Sequence, residues 1–358
     1  MSRQSKEEKV KVLLTGHTGF KGSWFSLMLK ERGYLLAGLS DQFLVDSLYK
    51  VASLNQLYEE EYFVDIRDRE AVENSISSYK PDLVFHFAAQ PLVRDSYSRP
   101  HETFDVNVTG TVNVLEAVRK YDNSLPTLIV TTDKVYKNFG KKEGYVEEDE
   151  LGGSDPYSAS KSAADIVAQS YISSFKLNRT AIVRAGNVIG GGDWSKDRLV
   201  PDLIRSLIAQ VPAVIRFPDA TRPWQHVLDC LSGYLLLSDR LIHGECSGVW
   251  NFGPTHAQSR EKVSQVVELV LAEWGGKSSW IRDSTPNTME AHLLDLDSSK
   301  ARRELHWADV LDFEKSIRMT VDYYKRVIAG EQPIRVMYEQ LSEYQNIRNS
   351  IPGFEEIS

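Results

Sequence analysis

Gly16, Gly19 and Gly22 stand directly behind an apolar run at residues 10–14 and ahead of a segment with helical spacing that closes at Gly33. This order of strand, glycine turn and helix narrows the possible folds more than any other stretch of the chain. It opens a parallel sheet wound with helices, and it sets a helix N-terminus, with its unpaired N–H groups, against the end of a strand. Gly16 and Gly19 let the backbone approach a pyrophosphate, and Gly22 lets the helix pack closely on the sheet. Thr18 and Phe20 lie within the same turn. A tight turn with no ligand remains the alternative at this point.

The rest of the chain keeps the alternation. Strands are expected at residues 34–39, 61–64, 83–87, 127–130, 179–184 and 249–252, and helices at 101–121, 156–175, 198–209, 260–274 and 309–330. Asp155 and Pro156 suit the cap and first position of a helix, whereas the glycine-rich stretch 185–194 has neither strand nor helix period. The expected fold class is α/β, a doubly wound parallel sheet of Rossmann type with a smaller, discontinuous α/β lobe. Residues 1–186 and 226–254 are assigned to the dinucleotide-binding domain. Residues 187–225 and 255–358 are assigned to the second lobe, with the site between the two.

The bulk properties exclude other classes. A net charge of −8 over 358 residues speaks against nucleic acid or a membrane surface as partner. No apolar run approaches the ~18 residues of a membrane span. Two cysteines, Cys230 and Cys246, suit a reducing compartment. The charged N-terminus lacks a signal core, so a cytoplasmic protein with a short frayed tail is expected.

The chemistry gathers at strand ends, where ligands sit in open α/β sheets. Ser40 and Asp41 end the second strand; either can bind ribose hydroxyls or form a surface turn. Asp65 and Ile66 follow the third strand, with Asp65 facing the adenine end or capping the next helix. The fourth ends in Phe87, Ala88 and Ala89, whose two alanines leave room for a cofactor. Gln90 to Ser96 form a loop over the pocket.

The fifth strand ends in Thr131, Thr132, Asp133 and Lys134, and Tyr157-Ser-Ala-Ser-Lys161 places a Tyr and a Lys one helical turn apart. A Tyr hydroxyl is a poor base at its free pKa of ~10, and a neighbouring ammonium can lower that value. With Thr132 holding the substrate hydroxyl, the trio suits oxidation of a secondary alcohol by hydride transfer to NAD. The resulting ketone acidifies the adjacent C–H. Lys134 as base and Asp133 as acid can then expel water, and the hydride can return; the alternative for Lys134 is a structural or phosphate-binding cation.

Gly16-His-Thr-Gly-Phe-Lys-Gly-Ser-Trp24, Thr131-Thr-Asp-Lys-Val-Tyr136, Tyr157-Ser-Ala-Ser-Lys161, Gly186-Asn-Val-Ile-Gly-Gly-Gly-Asp-Trp194 and Arg222-Pro-Trp-Gln-His-Val227 carry a resemblance. Over nearly its whole length the chain resembles the extended short-chain dehydrogenase/reductases, and within them the branch that dehydrates CDP-sugars at C4 to C6. The resemblance implies tightly held NAD, CDP-glucose as substrate, and a homodimer through the two long helices or a tetramer. It also implies a place in deoxysugar synthesis for surface polysaccharide. Thr132, Tyr157 and Lys161 become the oxidation trio, with Asp133 and Lys134 as the elimination pair. In the dTDP- and GDP-sugar branches the Lys134 position is usually Glu. Asn187, Arg198 and Arg222 match positions that hold the nucleoside diphosphate. His86, Gln90 and His226 are pocket linings or packing residues, Trp24 and Trp194 core aromatics or ligand contacts, and Glu290 and His292 a closure from the second lobe. Two rivals stand beside this reading: a nucleotide-sugar 4-epimerase using the same Tyr157, Lys161 and NAD, and a non-catalytic NAD-binding protein.

Overall fold

The computed structural model describes residues 9–43, 45–255, 261–276, 278–283 and 294–351. The expected N-terminal tail and the Glu290 and His292 closure lie outside these residues. Seven parallel strands form the central sheet: β1 (Lys11–Thr15), β2 (Leu35–Ser40), β3 (Glu60–Phe63), β4 (Leu83–His86), β5 (Thr127–Val130), β6 (Thr180–Ala185) and β10 (Gly248–Phe252). Their order is β3-β2-β1-β4-β5-β6-β10. The order reverses between β1 and β4, with Thr15 paired to His86. That crevice is where an open α/β sheet binds its ligand. Two short parallel pairs stand apart from the sheet: β7 (Asn187–Ile189) with β9 (Trp224–His226), and β8 (Ala213–Ile215) with β11 (Trp280–Arg282).

Helices cover both faces, as an all-parallel sheet requires. Helix α1 (Phe20–Glu31) is buried on all sides from Gly22 to Leu29, as a helix apolar all round must be. It shares one continuous core with α9 (Val227–Ile242), α10 (Val263–Trp274), α11 (Ser299–Leu305), α12 (Phe313–Ile328) and α13 (Pro333–Asn349). The short α2 (Leu48–Val51) and α8 (Leu199–Ile208) join that core. The opposite face is closed by α3 (Arg69–Tyr79), α4 (Val93–Ser98), α5 (Pro100–Phe104), α6 (Gly110–Tyr121) and α7 (Pro156–Phe175).

Among the elements that differ from the sequence-based expectation are a divided helix, β7 and α13. The helix expected over 101–121 is two helices, α5 and α6, joined by a π-turn at Asp105–Thr109. The extra residue turns Asn107 inward, where it donates to the Ser160 hydroxyl (2.9 Å) and brackets the Gln90 backbone. Such π-turns concentrate at functional sites. The stretch 185–194 is not wholly irregular, since it holds β7. The C-terminal α13 was not expected; Pro333 starts it, and its Tyr344 hydroxyl donates to Asp229 on α9 at 3.0 Å.

Candidate active site

The glycine turn is built to its spacing. Gly16 has φ +71°, and a Cβ there would lie 2.6 Å from the Ala88 nitrogen. A Cβ on Gly22 would lie 2.4 Å from the Gly16 carbonyl oxygen. Gly19 donates to that same oxygen at 3.1 Å. Helix α1 starts at Gly19 with no side-chain cap and no acidic residue in its first turn. Its N–H groups and positive dipole end are therefore open to an anion, which is the arrangement a dinucleotide pyrophosphate needs.

Thr18 ties the turn to the end of β2, donating to Ser40 Oγ (3.1 Å) and the Gln42 carbonyl (2.9 Å). Asp41 is exposed. Partial burial raises its carboxyl, the Gln42 backbone N–H opposes this, and Asp65 adds to the rise. Asp65 is not the cap of α3; Asp68 is, accepting from the Ala71 N–H at 3.0 Å. Asp65 instead accepts a forked pair from Arg67, which holds its carboxyl below the usual range. Ile66 is 5% exposed and packs against Gly110, so it is a core residue. Phe20 packs beside Gly190. Phe87 stacks on Phe25 at 5.2 Å, and the Ala88 N–H donates to Thr15; Ala89 is half-buried at the same strand end.

At the end of β5 a 3-10 turn, Asp133–Val135, bends the chain over the strand. Thr132 Oγ1 donates to Asp133 Oδ1 at 2.9 Å, and Lys134 Nζ lies 3.5 Å from the same oxygen. Asp133 is 1% exposed, and its Oδ2 has no hydrogen-bond partner. An acceptor buried without a donor is costly, so this oxygen is poised for a group entering the cleft.

Tyr157 is half-buried, with its N–H donating to Ser96 Oγ at 3.1 Å. Burial pushes its hydroxyl up to about 12, opposed by the Arg198 charge and a hydrogen bond with Thr132. Lys161 donates to the Val130 carbonyl at 2.8 Å. Burial pulls its ammonium down to about 8, opposed by Asp165 and reinforced by Lys21.

A cleft of about 700 Å³ lies against these groups, although Asp133 and Lys161 are not among its lining residues. Thr132, Lys134, Tyr157, Asn187, Arg198 and Arg222 all line it. Arg198 pairs loosely with Asp193 (3.4 Å) and Arg222 donates to the Thr221 carbonyl (2.8 Å).

Gln90 and His226 are not among the lining residues, contrary to expectation. Gln90 folds its amide back onto Leu92 and Asp95 (2.8–3.1 Å) and so braces the loop over the cleft. His226 is fully buried; its Nδ1 accepts from the Leu228 N–H, and burial lowers its pKa to about 3, so it is neutral. His86 is likewise a buried packing residue, held between Thr15 (2.8 Å) and Thr111 (3.1 Å), with a pKa pulled down to about 3 by burial. Trp24 is core and donates to the Gly191 carbonyl at 2.9 Å, and Trp194 packs edge-on to Tyr324.

Sequence reasoning missed Lys21, Arg94 and Arg216, which also line the cleft. Lys21 sits inside the glycine motif and could have been flagged there. Arg94 and Arg216 carry no local signal.

A family model described as GDP-mannose 4,6 dehydratase matches residues 13–320. The chain is 43% identical over 347 residues to a CDP-glucose 4,6-dehydratase of Salmonella typhimurium, covering 94% of this chain and 96% of that one. It superposes on a dTDP-glucose 4,6-dehydratase from Bacillus anthracis, solved in complex with NAD, with TM-score 0.76 and 25% identity over 91% of this chain and 99% of the other. A Thermus thermophilus UDP-glucose 4-epimerase, also solved with NAD, gives TM-score 0.75 and 25% identity over 88% and 99%. With the family match running from β1 into α12 and a close relative spanning nearly the whole length, the chain belongs to the GDP-mannose 4,6-dehydratase family.

Proposed function

We propose that the protein converts CDP-D-glucose to CDP-4-keto-6-deoxy-D-glucose and water. The observation that carries this reading is that Asp133 and Lys134 stand 3.5 Å apart beside Thr132, with Thr132, Lys134 and Tyr157 lining one cleft. A 4-epimerase has no use for that pair, and a non-catalytic binder has no use for Tyr157 and Lys161. The glycine turn and the neighbouring strand ends would hold NAD, which would supply reversible hydride transfer between C4 and C6.

The chain's own groups do the rest. Tyr157 takes the proton of the C4 hydroxyl, which Thr132 holds by a hydrogen bond. Lys161 supplies positive charge one turn away. Lys134 removes the proton on C5, acidified by the neighbouring ketone, and returns a proton to C5 when C6 is reduced. Asp133 protonates the C6 hydroxyl, which leaves as water. Asn187, Arg198 and Arg222 hold the nucleoside diphosphate, the two arginines through planar forks suited to phosphate.

In this reading residues 1–186 and 226–254 carry NAD, and residues 187–225 and 255–358 carry the sugar nucleotide. The protein works in the cytoplasm as a homo-oligomer joined through α6 and α7, where Tyr121, Ile166 and Phe175 are exposed. Among the described residues no helix is long and apolar enough to cross a membrane.

Mass spectrometry after separate incubation with CDP-, dTDP-, UDP- and GDP-glucose tests the proposal. Loss of one water from CDP-glucose alone is expected. Water loss from another sugar nucleotide instead would overturn the specificity, and no mass change with any of them would overturn the reaction.

A further inference from the structure

Behind the reacting groups lies a charge pair that the mechanism above does not use. Asp165 stands one helical turn after Lys161 on α7, and Arg184 stands on β6; both are 0% exposed. The Arg184 fork meets the carboxylate with both arms, Nε to Oδ2 and Nη2 to Oδ1, each at 2.8 Å. The same carboxylate accepts from Thr131 Oγ1 (3.1 Å) at the end of β5 and from Gln169 Nε2 (2.7 Å). Arg184 Nη1 also donates to the Tyr136 hydroxyl (2.8 Å) and the Glu147 carbonyl (3.0 Å). Tyr136 directly follows the 3-10 turn that holds Asp133 and Lys134.

Two fully buried charges are a poor means of merely joining a helix to a strand. Apolar side chains of similar volume often do so equally well, without desolvating two ions. What an apolar pair could not provide is a negative charge beside Lys161 and a rigid fork reaching Tyr136. Resting on the dehydratase reading, we propose that Asp165 and Arg184 are positioning residues which hold the oxidation helix and the elimination turn in one register, and that Asp165 keeps Lys161 charged.

The surroundings of Lys161 agree. Asp165 is the group that opposes the lowering of Lys161 by burial, while Lys21 on α1 adds to it. His86 at the end of β4 is neutral. Burial raises the hydroxyl of Tyr157 on the same helix. Asp133 and Lys134, on the turn after β5, stand 3.5 Å apart.

The test separates the two parts. Asp165→Asn removes the charge, so the alkaline limb of the oxidation half-reaction, read as NADH absorbance on mixing with CDP-glucose, should move to lower pH by about one unit or more. Titration of Lys161 by NMR in lysine-labelled protein should show the same shift without turnover. Arg184→Lys keeps the charge and loses the fork. Its alkaline limb should stay in place while product formation falls about tenfold, so that NADH accumulates. A folded Asp165→Asn protein with an unmoved limb and an unmoved Lys161 titration would overturn the electrostatic part. An Arg184→Lys protein whose oxidation and water loss slow equally, or not at all, would overturn the coupling. Should Asp165→Asn fail to fold, Arg184→Lys decides. An unmodified protein that forms no NADH counts against the dehydratase reading instead, and the Lys161 titration still tests the charge role.

Discussion

Replacing Gly22 by Ala tests the cofactor cradle at its tightest point. The added methyl would lie 2.4 Å from the Gly16 carbonyl oxygen, 2.8 Å from His17 Cα and 3.0 Å from His17 C. All three are backbone atoms, so no side chain can swing aside. Restoring ordinary contact requires α1 to retreat from the turn by about 1 Å, and overpacking of this kind costs about 1–3 kcal/mol. For a chain of this size the melting temperature should fall by about 1–2 °C for each kcal/mol.

The larger effect falls on NAD. Moving the helix N-terminus that far weakens N–H bonds to the pyrophosphate, and a charge-assisted hydrogen bond contributes about 1.5–3 kcal/mol, or about 10- to 150-fold in affinity. Titration calorimetry of cofactor-stripped protein with NAD reads this directly. Gly33→Ala is the control. Unlike Gly22 it stands at positive φ (+76°), and its Cβ would meet nothing within 4 Å. It should lose stability and keep NAD affinity. If Gly22→Ala binds NAD as tightly as the parent, the close approach of helix and turn is not what shapes the cradle.

Three further outcomes follow from the geometry. Lys134→Ala should bind NAD and still form NADH with CDP-glucose while losing water about 10²–10⁴-fold more slowly, and elimination at the parent rate would remove Lys134 as the base. Burial raises Asp229 to about 7 despite the Val310 and Leu311 N–H groups it accepts. Its folded value lies above the unfolded one, so its contribution to stability is complete below about pH 4 and is lost as the pH rises through about 7, by roughly 4 kcal/mol in all; urea denaturation should show that decline in the parent and not in Asp229→Asn, and equal slopes would refute it. Trp24→Phe removes the bond to the Gly191 carbonyl and should cost about 1–3 kcal/mol, with an unchanged thermal melt contradicting that role.

The seven strands read from apolar runs, the glycine turn and helix α7 were legible because each depends on neighbouring residues alone. The rest depends on distant partners. Three-residue β7 exists only because β9, some 35 residues on, pairs with it, and nothing in the glycine-rich stretch announces that. The π-turn at Asp105–Thr109 needs one residue more than a helical period allows, and its cause is the Gln90 backbone that Asn107 holds. Helix α13 was missed because its sequence is largely polar, although Val336, Met337, Gln340, Leu341 and Tyr344 fall on one buried face. At the site, Thr132, Asp133, Lys134, Tyr157 and Lys161 were picked out from strand-end and helix spacing alone. His226 was placed beside the ligand and His86 left between pocket and packing, when both are buried and neutral, since a lone histidine gives no sign of which way it points. Arg184, a cation inside an otherwise apolar strand, was the overlooked signal of the charge pair with Asp165.

The place of β10 has a consequence for how the protein is made. Strand β6 ends at Ala185 and its outer neighbour begins only at Gly248. On a ribosome adding roughly 5–20 residues per second, that interval lasts about 3 to 12 seconds. Throughout it the nascent sheet can present β6 as an open edge, a template on which another chain could pair. The most vulnerable moment of this protein therefore comes during its synthesis, and conditions that slow translation between residues 186 and 247 should favour aggregation over a soluble product.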